Sequence, residues 1–225
     1  MKNAQRMINS YELYIFDFDG TIIDSSLLMK ESLDYCYKKA GLEEIPPYQE
    51  FFSMMGDSLE NIFNRLTIPR EWVSVYKEYA TNNIQKITLF DDVCDVLHIL
   101  KERNKKLALF TGKDRKRTLE LLDKFGLTEL FNEVITPDEI RHPKPHPEGI
   151  QLLTTKLNVS TDSTIMIGDS FFDMQSASDA QVDNLFVLWG TGNQTDLAKC
   201  SPTFVFQTPR QLREAVMGKR AVFNA

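Results

Sequence analysis

Cysteine is scarce in this chain. There are three, Cys36, Cys94 and Cys200, an odd number at wide spacing with no Cys-x-x-Cys pair. That argues against a disulfide framework and against a zinc knuckle. No apolar run approaches the roughly 20 residues that span a bilayer. The first residues, Met1-Lys2-Asn3-Ala4-Gln5-Arg6, lead into no apolar core of signal-peptide length. A cytoplasmic location without a membrane partner is therefore the expectation. Positive charge is also in deficit: 26 Lys and Arg face 32 Asp and Glu, for a net charge of −6. A general nucleic-acid partner is disfavoured on that ground. Internal repeats and low-complexity tracts are absent as well.

What remains is 225 residues, 42% apolar and 26% charged, enough for one substantial domain with room for an insertion. Short apolar segments at Lys106–Phe110, Glu133–Ile135, Thr164–Ile167, Leu185–Leu188 and Thr203–Phe206 read as buried strands with little polar alternation. Helical stripes separate them: Val93, Val96, Leu97 and Leu100; Thr118, Leu121, Leu122 and Phe125; then Ile150, Leu153 and Leu157 after Pro147. This alternation predicts an α/β fold, a doubly wound parallel sheet covered by helices. Ligands of such sheets bind at the carboxyl ends of the strands.

Residues 25–87 break the rhythm. Met29, Leu33, Cys36 and Ala40 form one stripe that Gly41 can end, Asp57 with Glu60 resembles a capping box, and Trp72, Val75, Tyr76 and Tyr79 form a stripe after Pro69. The expectation is an all-helical insertion at 25–87 within a core made of 1–24 and 88–225. The last residues, Lys219–Ala225, read as a loose end.

The most informative segment is Tyr14-Ile15-Phe16-Asp17-Phe18-Asp19-Gly20-Thr21. Side chains two apart on a strand point the same way, so Asp17 and Asp19 emerge together beside a glycine turn. Adjacent carboxylates repel unless a cation or proton lies between them, which suggests a metal and acid–base chemistry. Later strands also end in polar groups. Phe110 runs into Thr111-Gly112-Lys113, Lys144 stands between Pro143 and Pro145, and Ile167 leads into Gly168-Asp169-Ser170-Phe171-Phe172-Asp173. Taken singly, Thr111 and Asp169 could be helix caps and Lys144 a solvated loop charge.

Taken in order, Asp-x-Asp-Gly-Thr, Thr111, Lys144 and Gly-Asp-x-x-x-Asp resemble the four motifs of the haloacid dehalogenase-like superfamily of phosphohydrolases. The resemblance covers nearly the whole chain and is nearest to a phosphoglycolate phosphatase-like group with a helical cap. It implies Asp17 as nucleophile, Asp19 as acid and base, Thr111 as phosphoryl hydrogen-bond donor and Lys144 as charge stabiliser. It also implies Mg²⁺ held by Asp17, Asp169 and the main-chain carbonyl of Asp19, with Asp173 behind them. The implied substrate is a small phosphate ester, hydrolysed through an aspartyl-phosphate by a monomer or homodimer.

Substrate contacts are expected from Gly20, Gly112, Lys113 and Gly56, the last in the insertion turn Met54-Met55-Gly56-Asp57-Ser58. That turn resembles the one by which such caps select substrates, though it also reads as a plain turn. The run Lys113, Arg115, Lys116, Arg117 is open to two readings, substrate attraction or a solvated helix face. His98 reads as structural, while His142 and His146 flank Lys144. Alternatives are a phosphomutase, a phosphonatase using Lys30, Lys38, Lys39 or Lys77, and a non-catalytic phospholigand-binding regulator. Asp24–Glu31 lacks the histidine that mutases of this kind carry, which disfavours the first. Leu89-Phe90-Asp91-Asp92-Val93 departs from the Pro-Gly turn common in relatives, leaving the hinge geometry open.

Overall fold

The computed structural model describes residues 7–191 and 194–218. Lys219–Ala225, expected to be a loose end, lies outside the described residues.

Six parallel strands form the sheet: β1 (Leu13–Phe16), β4 (Lys106–Phe110), β5 (Glu133–Ile135), β6 (Thr164–Gly168), β7 (Asp183–Val187) and β8 (Phe204–Phe206). Their spatial order is β5-β4-β1-β6-β7-β8. β1 is central, pairing Phe16 with Leu109 on one side and with Ile167 on the other. The chain leaves β1 for one edge through β4 and β5, then returns to the other side through β6. The strand order therefore reverses at β1, and the crevice beyond β1, β4 and β6 is where such sheets hold ligands.

Both faces are covered. Tyr14, Phe16, Leu107, Leu109, Ile165 and Ile167 pack against the apolar stripes of α5 (Asp91–Glu102), α6 (Arg115–Lys124) and α10 (Pro209–Val216). The alternate residues Leu13, Ile15, Ala108, Phe110 and Met166 pack against α7 (Glu148–Leu157) and α8 (Phe171–Asp179). Two-sided burial explains why the strands read as apolar runs and not as alternating ones. Each fully buried Ile or Leu contributes about 1.5–3 kcal/mol. A short α9 spans Gln194–Ala198.

Between the end of β1 and α5 lies a helical cap: α1 (Ser26–Lys39), α2 (Tyr48–Ser53), α3 (Leu59–Arg65) and α4 (Trp72–Asn82). Phe51, Phe63 and Tyr76 form its aromatic centre, with ring centroids 5.8–6.4 Å apart. Its two connections to the sheet run side by side as an antiparallel pair, β2 (Ile23–Asp24) and β3 (Thr88–Leu89). Both strands are too short to show periodicity, and the sequence gives no sign of them. The open question at Leu89–Val93 is answered by Phe90. Its extended backbone (φ −82°, ψ 102°) carries β3 straight into α5, and its N–H donates to Ile22 O at 3.0 Å.

One capping expectation is corrected and one helix is new. α3 is capped by Ser58, whose Oγ accepts from Asn61 N, while Asp57 lies one residue outside the helix. α2 was not anticipated, because Pro46-Pro47 reads as a break and the helix has only six residues.

Candidate active site

The ends of β1, β4 and β6 bring the expected residues together. Asp17 follows β1 directly and its N–H donates to Ile167 O at 2.8 Å, so the sheet ladder fixes its position. Lys144 comes in from the β5–α7 loop and its side chain is fully buried. Its Nζ donates to Asp17 Oδ1 at 2.7 Å, to Asp173 Oδ1 at 2.7 Å and to Phe110 O at 3.0 Å. All three ammonium protons are thereby used. Burial alone would lower the Lys144 pKa, but the charges of Asp17 and Asp173 outweigh it, so the net direction is up.

Asp173 is bound at both oxygens. Its Oδ2 accepts from Ser170 N (3.1 Å) and Ser170 Oγ (2.6 Å), while Asp173 N donates back to Ser170 Oγ. Ser170 and Asp173 are thus the capping box of α8. The cap role considered for Asp169 belongs to Ser170, and the one considered for Thr111 belongs to Asp114, which caps α6. Asp169 is buried and its Oδ2 accepts from Thr191 N at 2.7 Å and Thr191 Oγ1 at 3.0 Å.

The carboxylates of Asp17, Asp169 and Asp173 lie within 4.8 Å of one another. Burial, with Asp173 and Asp169 adding to it, pushes the Asp17 carboxyl well above its ordinary range even against Lys144. Three buried carboxylates facing one ammonium leave an excess of about two negative charges, which a divalent cation would offset. The donors are all oxygen, as hard divalent ions prefer. Asp173 has both oxygens engaged, one by Lys144 and the other by Ser170.

Asp19 is held from two sides: Ser25 Oγ donates to its Oδ1 at 2.5 Å and Lys113 Nζ lies 3.0 Å from its Oδ2. Asp17, Asp19, Thr111, Gly112, Lys113 and Gly56 all line one cavity of about 80 Å³ between sheet and cap. Gly20 does not line it. Its φ of +78° suits glycine, and a Cβ there would collide with the Asp169 carboxylate. The roof is the turn Met54–Ser58. A Cβ on Gly112 would lie 2.6 Å from Asp57 O and 2.7 Å from Gly56 O, so cap and core meet backbone to backbone. Asp57 is buried. Arg65 Nη2 is 3.1 Å from its Oδ2 but off the line of a hydrogen bond, which makes the contact Coulombic.

The basic run divides by helical phase. Lys113 and the buried Arg117 face the cavity, with Arg117 Nη1 donating to Thr81 Oγ1 at 2.5 Å, whereas Arg115 and Lys116 are exposed. Of the lysines considered for a phosphonatase, Lys77 lines the cavity, while sequence reasoning missed the cavity residue Tyr76 as well as Ser25, Ser170 and Thr191. Their only sequence signal is adjacency to a turn or a stripe already explained by packing. His142 and His146 do not line the cavity, and His98 is an exposed residue of α5.

A strand-end carboxylate pair and a buried lysine bridge thus stand beneath a roofed pocket at the carboxyl end of a parallel α/β sheet. The family model for haloacid dehalogenase-like hydrolases matches residues 14–187, and the chain belongs to that family. Among curated relatives, the pyrophosphatase PpaX of Oceanobacillus iheyensis is 29% identical over 201 residues, covering 88% of this chain and 93% of its own. A haloacid dehalogenase-like hydrolase from Streptococcus pneumoniae superposes with a TM-score of 0.78 at 26% identity, covering 91% of this chain and 98% of that one. A provisionally assigned phosphoglycolate phosphatase from Lactobacillus delbrueckii subsp. bulgaricus shares the fold, with a TM-score of 0.81 at 24% identity over 93% of this chain and all of that one.

Proposed function

We propose that this protein is a Mg²⁺-dependent phosphatase for a small phosphorylated metabolite, working through an aspartyl-phosphate on Asp17. The observation that carries the reading is the Lys144 bridge between Asp17 and Asp173 at the floor of a cavity that also exposes Asp19 and Thr111. Asp17 Oδ attacks phosphorus and the bond to the leaving oxygen breaks. A covalent step divides one difficult displacement into two easier ones. Asp19 gives its proton to the leaving oxygen, then as a carboxylate takes one from the water that releases phosphate. For that exchange, Lys113 leaves Asp19 and pairs with a phosphoryl oxygen. Thr111 donates to another, and Lys144 offsets charge at the nucleophile. Mg²⁺ bound by Asp17, Asp169 and the Asp19 carbonyl would supply further charge neutralisation at the phosphoryl group.

Pyrophosphate is the first candidate substrate, since PpaX relatives carry that name and the acid-lined cavity also holds three cations, Lys113, Arg117 and Lys77, that could meet phosphoryl oxygens. Phosphoglycolate is the second. The phosphonatase alternative requires a neutral amine. Lys77, the lysine of that set lining the cavity, is 2.9 Å from Glu60 and 3.6 Å from Asp114. Burial lowers its pKa, but these carboxylates outweigh it and hold the amine charged.

Residues 25–87 are proposed to move as the lid, hinged at the β2–β3 pair, excluding water during transfer. Hydrogen exchange at Ile23–Asp24 and Thr88–Leu89 should slow with Mg²⁺ plus vanadate; unchanged exchange refutes the hinge. The function itself is tested by phosphate release from pyrophosphate, phosphoglycolate, nucleoside monophosphates, sugar phosphates and amino-acid phosphates. Release should need Mg²⁺, stop with EDTA and be absent in Asp17→Asn. A folded protein that releases nothing from this panel overturns it.

A further inference from the structure

Among the described residues outside the cavity, one cluster has the donor chemistry of a second metal centre. His142, His146 and Glu148 each bring one ligand atom within 4.8 Å of the others. They sit on the loop that delivers Lys144, with one histidine on either side of it. Lys144 points inward and is buried, whereas both histidines are exposed. The two rings lie 4.6 Å apart at 34°. His142 Nδ1 is 2.8 Å from Glu148 Oε2. The N–H groups of Arg141 and His142 donate to the same carboxylate at 3.0 Å each, and Glu148 N–H donates to His146 Nδ1 at 3.2 Å. The three residues are therefore tied together already, on a backbone stiffened by Pro143, Pro145 and Pro147.

We propose that His142, His146 and Glu148 form a surface site for a divalent ion of the zinc class. Two imidazoles and one carboxylate suit such an ion, while magnesium prefers oxygen alone. Ligand atoms around tetrahedral zinc at about 2.1 Å are roughly 3.4 Å apart, so the cluster needs to close by little more than ~1 Å. Both rings bind as neutral imidazoles. His142 carries its proton on Nε2 when Nδ1 ligates, and His146 gives up its bond from Glu148 N–H when its own Nδ1 does. Glu148 is already oriented by the N–H groups of Arg141 and His142, one on each carboxylate oxygen. The fourth position is left to water. Occupancy ties the loop together on both flanks of Lys144 and stiffens the strap that presents it. The inference does not depend on the phosphatase reading.

The test is a Zn²⁺ titration of the full chain in excess Mg²⁺, read by competition with a chromophoric chelator. Wild type, His142→Ala, His146→Ala, Glu148→Gln and Asp169→Asn are compared, each with its circular dichroism recorded. One equivalent should bind to wild type and to Asp169→Asn. Binding should weaken at least about tenfold in the histidine variants, the scale on which metal sites respond to lost support. His142 is exposed and touches no core residue, whereas the His146 carbonyl accepts from Ser176 Oγ, so the His142 variant decides the matter if His146→Ala misfolds. Unchanged affinity in His142→Ala, loss in Asp169→Asn alone, or no binding to wild type overturns the proposal.

Discussion

Gly112→Ala isolates the contact between cap and core. Gly112 is outside the left-handed region, so alanine fits its backbone without strain. The added methyl would, however, stand 2.6 Å and 2.7 Å from the carbonyl oxygens of Asp57 and Gly56. These are backbone atoms and cannot rotate away as a side-chain tip could. Restoring ordinary contact at 3.4 Å requires the roof to lift by roughly 0.8 Å. Overpacking of this kind costs about 1–3 kcal/mol. The strain exists only when the cap is down, so the chain escapes it by opening, and the loss falls on the closed population. A penalty of about 1–2 kcal/mol lowers that population roughly five- to thirty-fold. The expected outcome is a matching fall in kcat/KM for the best substrate of the panel, with little change in Tm. Kinetics and thermal melting on the same preparation test it. Wild-type kcat/KM, or a large fall in Tm with the activity of the folded fraction intact, refutes the closed-cap reasoning.

Lys144→Met should abolish turnover and destabilise the fold by about 3–5 kcal/mol, because Asp17 and Asp173 remain buried without their ammonium; added Mg²⁺ should recover part of that loss in a denaturant titration, and wild-type stability without Mg²⁺ would contradict the charge account. Lys113→Ala removes the partner of Asp19 and is expected to raise KM and lower kcat with little change in stability, since the lysine lines the cavity and its ammonium is paired there with Asp19; unchanged kinetics would place it outside the site. Burial pushes the Cys36 thiol from 9.0 up to about 11. The unfolded chain then ionises first, so this contribution to stability is present below pH 9 and is lost as pH rises from about 9 toward 11. Cys36→Ala should flatten the alkaline fall seen in urea titrations, and equal slopes would exclude the thiol as its source.

Much of the sheet was legible. Lys106–Phe110 and Glu133–Ile135 form strands at the expected bounds, because two-sided burial leaves an apolar run framed by Lys, Asn, Thr and Pro. The motif residues were legible as a set, since Asp17, Thr111 and Asp169 each follow a strand end and Lys144 stands between two prolines. The partners that hold them were not. Ser25 on Asp19, Thr191 on Asp169 and Lys113 on Asp19 are contacts made by folding, across 6, 22 and 94 positions, with no spacing to announce the longer two. Arg117 was hidden inside a basic run because charge alone does not reveal helical phase. The β2–β3 pair was hidden because two residues carry no period.

That pair has a further consequence. The cap enters and leaves the core through neighbouring strands, Ile23 opposite Leu89 and Asp24 opposite Thr88, so its ends are already together before its interior is specified. An insertion with joined ends adds little loop-closure cost whatever its length or sequence. The roof is thus a replaceable part set on a fixed reaction floor. Exchanging residues 25–87 for those of a relative should carry substrate preference across while Asp17, Thr111, Lys144 and Asp169 stay where the sheet and its loops hold them.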